Sequence, residues 1–291
     1  MRLGLGLSVN STSSQKVGGF TGILDEFTGA AAAYSVRKLS STYSGNAMRV
    51  RRSSDDTEQD IAFTGSGVLD TSSLLSFVGT GGTDNGFVTI WYDQSGNAKN
   101  ALNTTESQQP KIVSAGSVVT LDGHPCLDGD VSGNAQLQAS DVIDGAIVNY
   151  AIFSTYALKT TTDQITFNIG NETGSDRISD TVNKSGTGIF AIDVRAASNV
   201  FSKGNSVAVS LNEIHLNTIV TDTNPLFIDG VQQTASNSGR SGTASDNLSV
   251  FNRNSGGSFA FEGKFYEFIY FNSDQSSNRT NIEANINTHF S

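Results

Sequence analysis

Cysteine is almost missing from this chain. Its 291 residues include one, Cys126, so no internal disulfide can form and the fold does not depend on an oxidising compartment. Charge is sparse, at 16% of residues, and proline is rarer still, with three against 30 glycines. Few charges with abundant Gly, Ser, Thr and Asn describe an all-β protein rich in turns, not a disordered one. Basic charge is in deficit, giving a net charge of −10. That excludes nucleic acid as the main partner, since phosphate binding needs a basic face. No run approaches the roughly 18 apolar residues of a membrane span. The opening Met1-Arg2-Leu3-Gly4-Leu5-Gly6-Leu7-Ser8 has too short and glycine-broken an apolar part for a signal peptide. Phosphate-loop, dinucleotide and nucleophile-elbow patterns are absent. The three histidines, His124, His215 and His289, are scattered. They suggest no paired Ser and His, and His124-Pro125-Cys126 is too sparse for a zinc site. No cofactor or metal site is expected.

What is present centres on Thr89-Ile90-Trp91-Tyr92-Asp93-Gln94-Ser95-Gly96-Asn97, which holds the only tryptophan. Phe87 to Tyr92 reads as a buried strand. Asp93 to Asn97 supplies turn chemistry, with short polar side chains that bond nearby backbone and a glycine that permits positive φ. The bland reading is a tight turn pinned by Asp93 and Asn97, with Trp91 in the core. The sharper one is a sugar platform made by Trp91, Tyr92 and the turn.

In chain order, residues 1–28 read as an N-terminal arm and 29–291 as one domain. Leu3, Leu5 and Leu7 alternate with glycine as a strand would, suiting addition to the chain's own sandwich or to a neighbouring subunit. Residues 30–43 read as a helix, with Ala32, Val36, Leu39 and Tyr43 on one stripe and Gly45 as its cap. A strand over 47–52 puts Arg49 and Arg51 on one face and Met48 and Val50 on the other. Arg52 and its neighbours precede Asp55, Asp56, Glu58 and Asp60, either as mutual charge neutralisation or as an Arg/Asp sugar or metal site. Leu69 to Phe77 reads as a short helix capped by Asp70 or Thr71. Strands are expected at 118–121, 147–158, 164–169, 188–194, 207–211, 214–222, 225–228, 247–251 and 259–271. Asp122-Gly123 and Asp229-Gly230 are hairpin signals between them. A closing helix near 276–287 presents Ile282 and Ile286 on one face. The pattern implies a sandwich or barrel.

The order of the 30–43 segment, Arg52 to Asp56, and Ile90 to Asn97 followed by Ala98-Lys99-Asn100-Ala101 resembles the catalytic domain of α-L-arabinofuranosidase B. Gly263-Lys264-Phe265-Tyr266-Glu267 adds a weaker match. The resemblance is good over about residues 30–125 and thin over 126–291. It implies a concanavalin A-like jelly-roll sandwich of two antiparallel sheets, with a few short helices, and makes Arg52, Asp55, Asp56, Trp91, Tyr92, Asp93, Gln94, Gly96 and Asn97 structural-motif residues. It also implies two catalytic carboxylates. The nucleophile would lie in an "Asp-Met-Glu" stretch, where this chain is most similar at Asp193-Val194-Arg195. The acid/base would lie in a "Gly-Gly-Asp" turn, which here reads Phe251-Asn252-Arg253-Asn254. The enzymes are also rich in cysteine bridges.

These departures lead to the expectation of a non-enzymatic scaffold. Similar domains occur in virion structural proteins of tailed bacteriophages, as tail, fibre-associated or capsid-decorating modules, and the opening eight residues are similar to the start of many of them. The expected function is therefore a bacteriophage virion structural protein, assembled in the host cytoplasm. Its expected partners are other virion proteins and further copies of itself, bound through the arm, and a host surface glycan is a further candidate. One alternative is a carbohydrate-binding receptor-recognition module. The other is an arabinofuranosidase-like glycoside hydrolase that recruits Asp193, with Glu213 or Asp246 as its partner carboxylate.

Overall fold

A computed structural model describes residues 20–130, 134–143, 149–160, 162, 164–170, 177–182, 191–196, 199–204, 210–220, 226–233, 247–252 and 259–291. Among these, the first half carries β1 Ala30–Ser35, β2 Met48–Arg52, β3 Glu58–Ile61, β4 Gly86–Trp91, β5 Ala101–Leu102 and β6 Lys111–Ser114. Short strands β7 Ser117–Val118, β8 Thr120–Leu121, β9 His124–Pro125, β10 Leu127–Asp128 and β11 Leu137–Ala139 follow. The second half carries β12 Ala151–Leu158, β13 Gln164–Gly170, β14 Arg177–Val182, β15 Ala191–Ala196 and β16 Asn199–Gly204. It ends with β17 His215–Val220, β18 Leu226–Ile228, β19 Val231–Gln232, β20 Leu248–Val250 and β21 Gly263–Phe271. Three helices accompany them: α1 Ile23–Glu26, α2 Thr71–Val78 and α3 Arg279–Phe290.

The pairings, all antiparallel, give two packed sheets, the expected all-β sandwich. One runs β1-β21-β12-β17-β18-β19. The other runs β3-β2-β4-β5-β11-β20-β13-β14-β15-β16. They meet at one corner, where β10 pairs with both β21 and β6. Alternation along each strand sends one set of side chains between the sheets. Phe268 of β21 meets Phe167 of β13 there, with ring centroids 5.1 Å apart, and Tyr34 of β1 meets Trp91 of β4 at 5.8 Å. The alternate residue, Glu267, faces away from the second sheet. Its carboxylate accepts from Arg37 Nε and Nη2 at 2.7 and 2.9 Å, and Arg37 Nη1 donates to Asn285 of α3. Thus α3 covers the outer face of the first sheet, with Ile282 and Ile286 buried. Both faces of β12 and β21 are covered, and both strands are buried almost throughout.

The expected helix over 30–43 is wrong. Ala30 to Ser35 is β1, paired in register with β21 from Ala30↔Phe271 to Ser35↔Glu267. Four apolar residues at helical spacing cannot distinguish a helix from a strand buried on both faces. Here every position but Ala31 is buried, and pairing overrides alanine's helix propensity. Gly45 consequently caps nothing. The helix expected at 69–77 is α2, and Asp70 caps it by accepting from Ser73 N. Both Asp-Gly hairpins form, with φ of 52° and 84° at Asp122-Gly123 and 51° and 75° at Asp229-Gly230, the left-handed pair of a type I′ turn. Residues 1–19 of the expected arm lie outside the described residues. Ile23, Leu24 and Phe27, at its end, are buried in the core. The expected strand at 207–211 falls mostly outside the described residues.

Among the described residues, one carboxyl group sits between the sheets. Asp180 of β14 is fully buried. Its Oδ2 accepts from Thr166 Oγ1 at 2.7 Å, from Tyr156 Oη at 3.0 Å and from Asn217 Nδ2 at 3.0 Å. Tyr156 and Asn217 belong to the opposite sheet, so the carboxyl group ties the two layers together. Its Oδ1 has no donor. Burial pushes the carboxyl up from 3.8 to about 6, against the lowering effect of the three hydrogen bonds. The folded state therefore holds this proton more tightly than the unfolded chain. The stability this confers is complete below pH 4 and is lost as pH rises from about 4 to about 6, a change of roughly 3 kcal/mol. Asp180→Asn removes the charge and keeps an acceptor for the three donors. Denaturant titrations at pH 4 and pH 7 should show the variant more stable than the parent at pH 7, with the gap closing at pH 4.

Candidate functional site

The second sheet carries an unbroken cross-strand row on the side away from the core. Its register runs Asp60↔Arg49↔Ile90↔Leu102↔Gln138↔Ser249↔Asn168↔Ser179↔Asp193↔Ser202, across all ten strands. The neighbouring row, which includes Leu137, Val250 and Phe167, points into the core. Most of the outer row is polar, two neighbouring pairs within it are hydrogen-bonded, and Ser249, Asn168 and Ser179 are buried. Arg49 holds Asp60 through two bonds of 2.7 and 3.0 Å, and Tyr92 Oη donates to Asp60 Oδ1 at 2.7 Å. That guanidinium pulls the Asp60 carboxyl below its ordinary value against partial burial. Burial and the Asp60 bond push the Tyr92 phenol up to about 12. Further along, Gln136 donates to Ser249 Oγ and Ser179 Oγ to Asn168 Oδ1.

A cleft of about 330 Å³ opens beside this row and shares Ile90 and Leu102 with it. Arg51 is its anchor, 8% exposed, with its guanidinium stacked 4.9 Å from the Phe87 ring centroid. Arg51 Nη1 pairs with Asp56 at 2.5 Å and lies 4.0 Å from Glu106, while Nε donates to Gln109 at 2.9 Å. Glu58, Asn103 and Thr104 complete the polar wall. Three carboxylates around one guanidinium, next to a floor of amides and hydroxyls, supply the donors, acceptors and acids that sugar chemistry uses.

The other motif residues divide by role. Arg52 and Asp55 form a two-bond pair at 2.7 and 2.6 Å on the surface, away from the cleft lining, and that pairing holds the Asp55 carboxyl well below its ordinary range. Trp91 is fully buried and donates from Nε1 to Ser35 O at 3.2 Å. The next residues run along the free edge of β1. Asp93 Oδ1 accepts from Ala33 N and Ser95 N at 2.9 Å each, and Oδ2 from Lys99 N and Ser95 Oγ. Gln94 Oε1 accepts from Leu39 N at 2.7 Å, and its Nε2 donates to Arg37 O at 3.0 Å. Asn97 Nδ2 donates to Ala30 O and Ala31 O. Gly96, at φ 92°, makes the turn. Side chains here do what a neighbouring strand would do.

Sequence reasoning expects no paired Ser and His, but the structure brings Ser210, His215 and Asp229 together. His215 Nδ1 lies 2.8 Å from Asp229 Oδ2, and Nε2 lies 3.0 Å from Ser210 O and 3.4 Å from Ser210 Oγ. A carbonyl only accepts, so Nε2 carries a proton, and the carboxylate opposite Nδ1 favours a second one there. The pKa is raised despite burial. Ser210 Oγ donates to Glu213. The group is thus a hydrogen-bonded clamp on a turn, with its serine proton committed elsewhere. Nothing in the sequence spacing signals it, because the β17–β18 hairpin brings Asp229 back to His215.

The family model described as "Alpha-L-arabinofuranosidase B, catalytic" matches residues 25–185. The chain belongs to this family. Comparison with the curated proteins gives no significant match. Among solved structures, a GH54 α-L-arabinofuranosidase soaked with a cyclic sulfate inhibitor is similar at 19% identity and TM-score 0.68, over 91% of this chain and 63% of that one. An arabinofuranosidase complexed with arabinofuranosyl-α-1,2-xylobiose is similar at 16% identity and TM-score 0.62, over 91% of this chain and 64% of that one. The chain thus spans under two thirds of these neighbours' length, and at such identities they establish the fold. Family membership overturns the expected non-enzymatic bacteriophage virion protein, because the matched model is that of a catalytic domain. The departures at Arg195 and residues 251–254 carried too much weight in that expectation. The Arg195 side chain and residues 253–258 lie outside the described residues, as does Asp246. Phe251, which opens the stretch compared with the "Gly-Gly-Asp" turn, adopts φ 75°, a conformation that favours glycine.

Asp93→Ala leaves the Ala33, Ser95 and Lys99 amides without their acceptor. Urea unfolding should show a loss of about 3 kcal/mol. Asp93→Asn, which keeps one acceptor oxygen, should lose less.

Proposed function

We propose that this chain is a glycoside hydrolase domain acting on α-L-arabinofuranosides. The match of residues 25–185 to the catalytic-domain family carries this reading. The polar outer face of the second sheet and the adjoining Arg51 cleft support it, since a furanoside needs hydrogen-bonding groups for its hydroxyls and a carboxyl pair across its anomeric carbon. Retaining enzymes hold that pair about 5–5.5 Å apart and inverting ones about 6.5–9.5 Å apart. The cleft supplies Asp56, Glu58 and Glu106, whereas the Asp193 backbone lies eight strands along the register from Asp60, roughly 40 Å at about 4.8 Å per strand, too far to pair with them across one anomeric carbon. Arg51 keeps Asp56 and Glu106 at the cleft mouth, leaving Glu58 as the cleft acid with no ion pair of its own among the described residues.

The test is release of nitrophenol from 4-nitrophenyl α-L-arabinofuranoside. The parent should turn over, and Glu58→Gln should lower kcat by about 100-fold or more without changing thermal unfolding. A folded parent with no turnover on this substrate or on arabinosylated xylo-oligosaccharides overturns the proposal.

A further inference from the structure

The Asp93–Asn97 turn has a second side, which the proposed activity does not use. Beyond the residues that bond β1, Gln94, Ser95 and Gly96 line a cleft of about 410 Å³, closed by residues of the 24–30 and 40–45 segments. That volume lies within the roughly 300–1,000 Å³ of small-ligand clefts. It shares no residue with the Arg51 cleft. In a chain with 28 acidic and 18 basic residues, no charged side chain lines it. The wall is made of hydroxyls from Thr28, Ser40, Thr42, Ser44 and Ser95, with Tyr43 beside them.

We infer that this cleft is a second, non-catalytic site for a neutral polyhydroxylated ligand, a saccharide one or two rings long. Three observations argue for that class. First, there is no cation to hold an anion, and the carboxylates of Asp25 and Asp93 stand behind the wall. Asp25 accepts from Ser40 Oγ at 2.7 Å, and Asp93 accepts from Ser95 Oγ at 2.7 Å. An anionic ligand is repelled, and a purely apolar one would strand the hydroxyls.

Second, the hydroxyls are already oriented. Ser40 spends its single proton on Asp25, so in the 2.9 Å contact between Ser40 and Thr42 the proton comes from Thr42. The Thr42 oxygen is left with lone pairs to accept from a ligand hydroxyl. Thr28 and Ser44 are exposed and carry no side-chain hydrogen bond among the described residues, so both are free to donate.

Third, the aromatic wall is fixed. Tyr43 Oη donates to Asn46 O at 2.8 Å, and its ring meets Phe63 edge-on at 6.3 Å. A Cβ at Gly45 would come within 2.5–3.1 Å of the Tyr43 ring and hydroxyl, so glycine there lets the phenol lie across the cleft. A rigid aromatic face beside aligned hydroxyls costs little ordering entropy on binding. The site stands whether or not the sheet face hydrolyses a glycoside.

The test is saturation-transfer NMR and calorimetry on the full chain, with arabinobiose and xylobiose as probes and glucuronic acid as the charged control. Neutral disaccharides should bind with a Kd on the order of millimolar, and glucuronic acid should not bind. Thr42→Val deletes the acceptor while keeping the shape. Ser44→Arg fills the cleft from an exposed position. Each should weaken disaccharide binding about ten-fold or more, with unchanged thermal unfolding and unchanged turnover of 4-nitrophenyl α-L-arabinofuranoside. Equal binding by parent and both variants, or no binding of either disaccharide by the parent, overturns the site. Loss of turnover with binding intact would instead count against the proposed activity alone.

Discussion

The free edge of β1 is the constraint that the structure is arranged around. β1 bonds β21 on one side and, among the described residues, has no strand on the other. An unpaired edge in a buried position leaves amides and carbonyls without water or partner, which is costly. Asp93, Gln94 and Asn97 answer it with side chains, contacting Ala30, Ala31, Ala33, Arg37 and Leu39 in turn. Because this contact fixes β1, it also fixes Trp91 just upstream, and Trp91 in turn packs on Tyr34 and Phe265 in the centre of the sandwich. A polar pentapeptide is thereby a core element, although half of it looks like a surface turn.

Local chemistry made some of this legible. The two Asp-Gly hairpins, the Asp70 cap and the alternation of Met48 and Val50 with Arg49 and Arg51 are each set by a few adjacent residues, and each formed where the residues predicted. The segment over 30–43 was not legible, because alanine-rich sequence satisfies a helix stripe and a doubly buried strand equally well, and the deciding partner lies more than 200 residues away. The site was legible only in pieces. Arg52 and Asp55 neutralise one another as charge proximity suggests, whereas the cleft depends on Arg51, and Glu106 and Gln109 join it from a separate loop. The ten-strand row exists only once every register is set.

Burial decides which polar groups are structural and which remain available. Asp180, Glu267 and Asp93 are all buried, and each accepts from at least one element far along the chain. They differ in how charge is handled. Glu267 has Arg37 as a counterion, Asp93 has backbone amides, and Asp180 has neutral donors alone and keeps its proton to higher pH. The carboxylates of Asp56, Glu58 and Glu106 are exposed, and it is these that line the Arg51 cleft.

The distance along the chain between β1 and its partners has a consequence for how the protein is made. The turn that covers one edge of β1 is synthesised about 60 residues later, but β21, which covers the other, comes more than 200 residues later. During translation β1 therefore waits as a one-sided strand, with its β21-facing amides open until more than 200 further residues have emerged. Long-range antiparallel pairing of this kind makes for slow folding and an aggregation-prone nascent state. The side-chain splint at Asp93 and Gln94 halves that hazard early, since it can close over β1 while the final strand is still unmade.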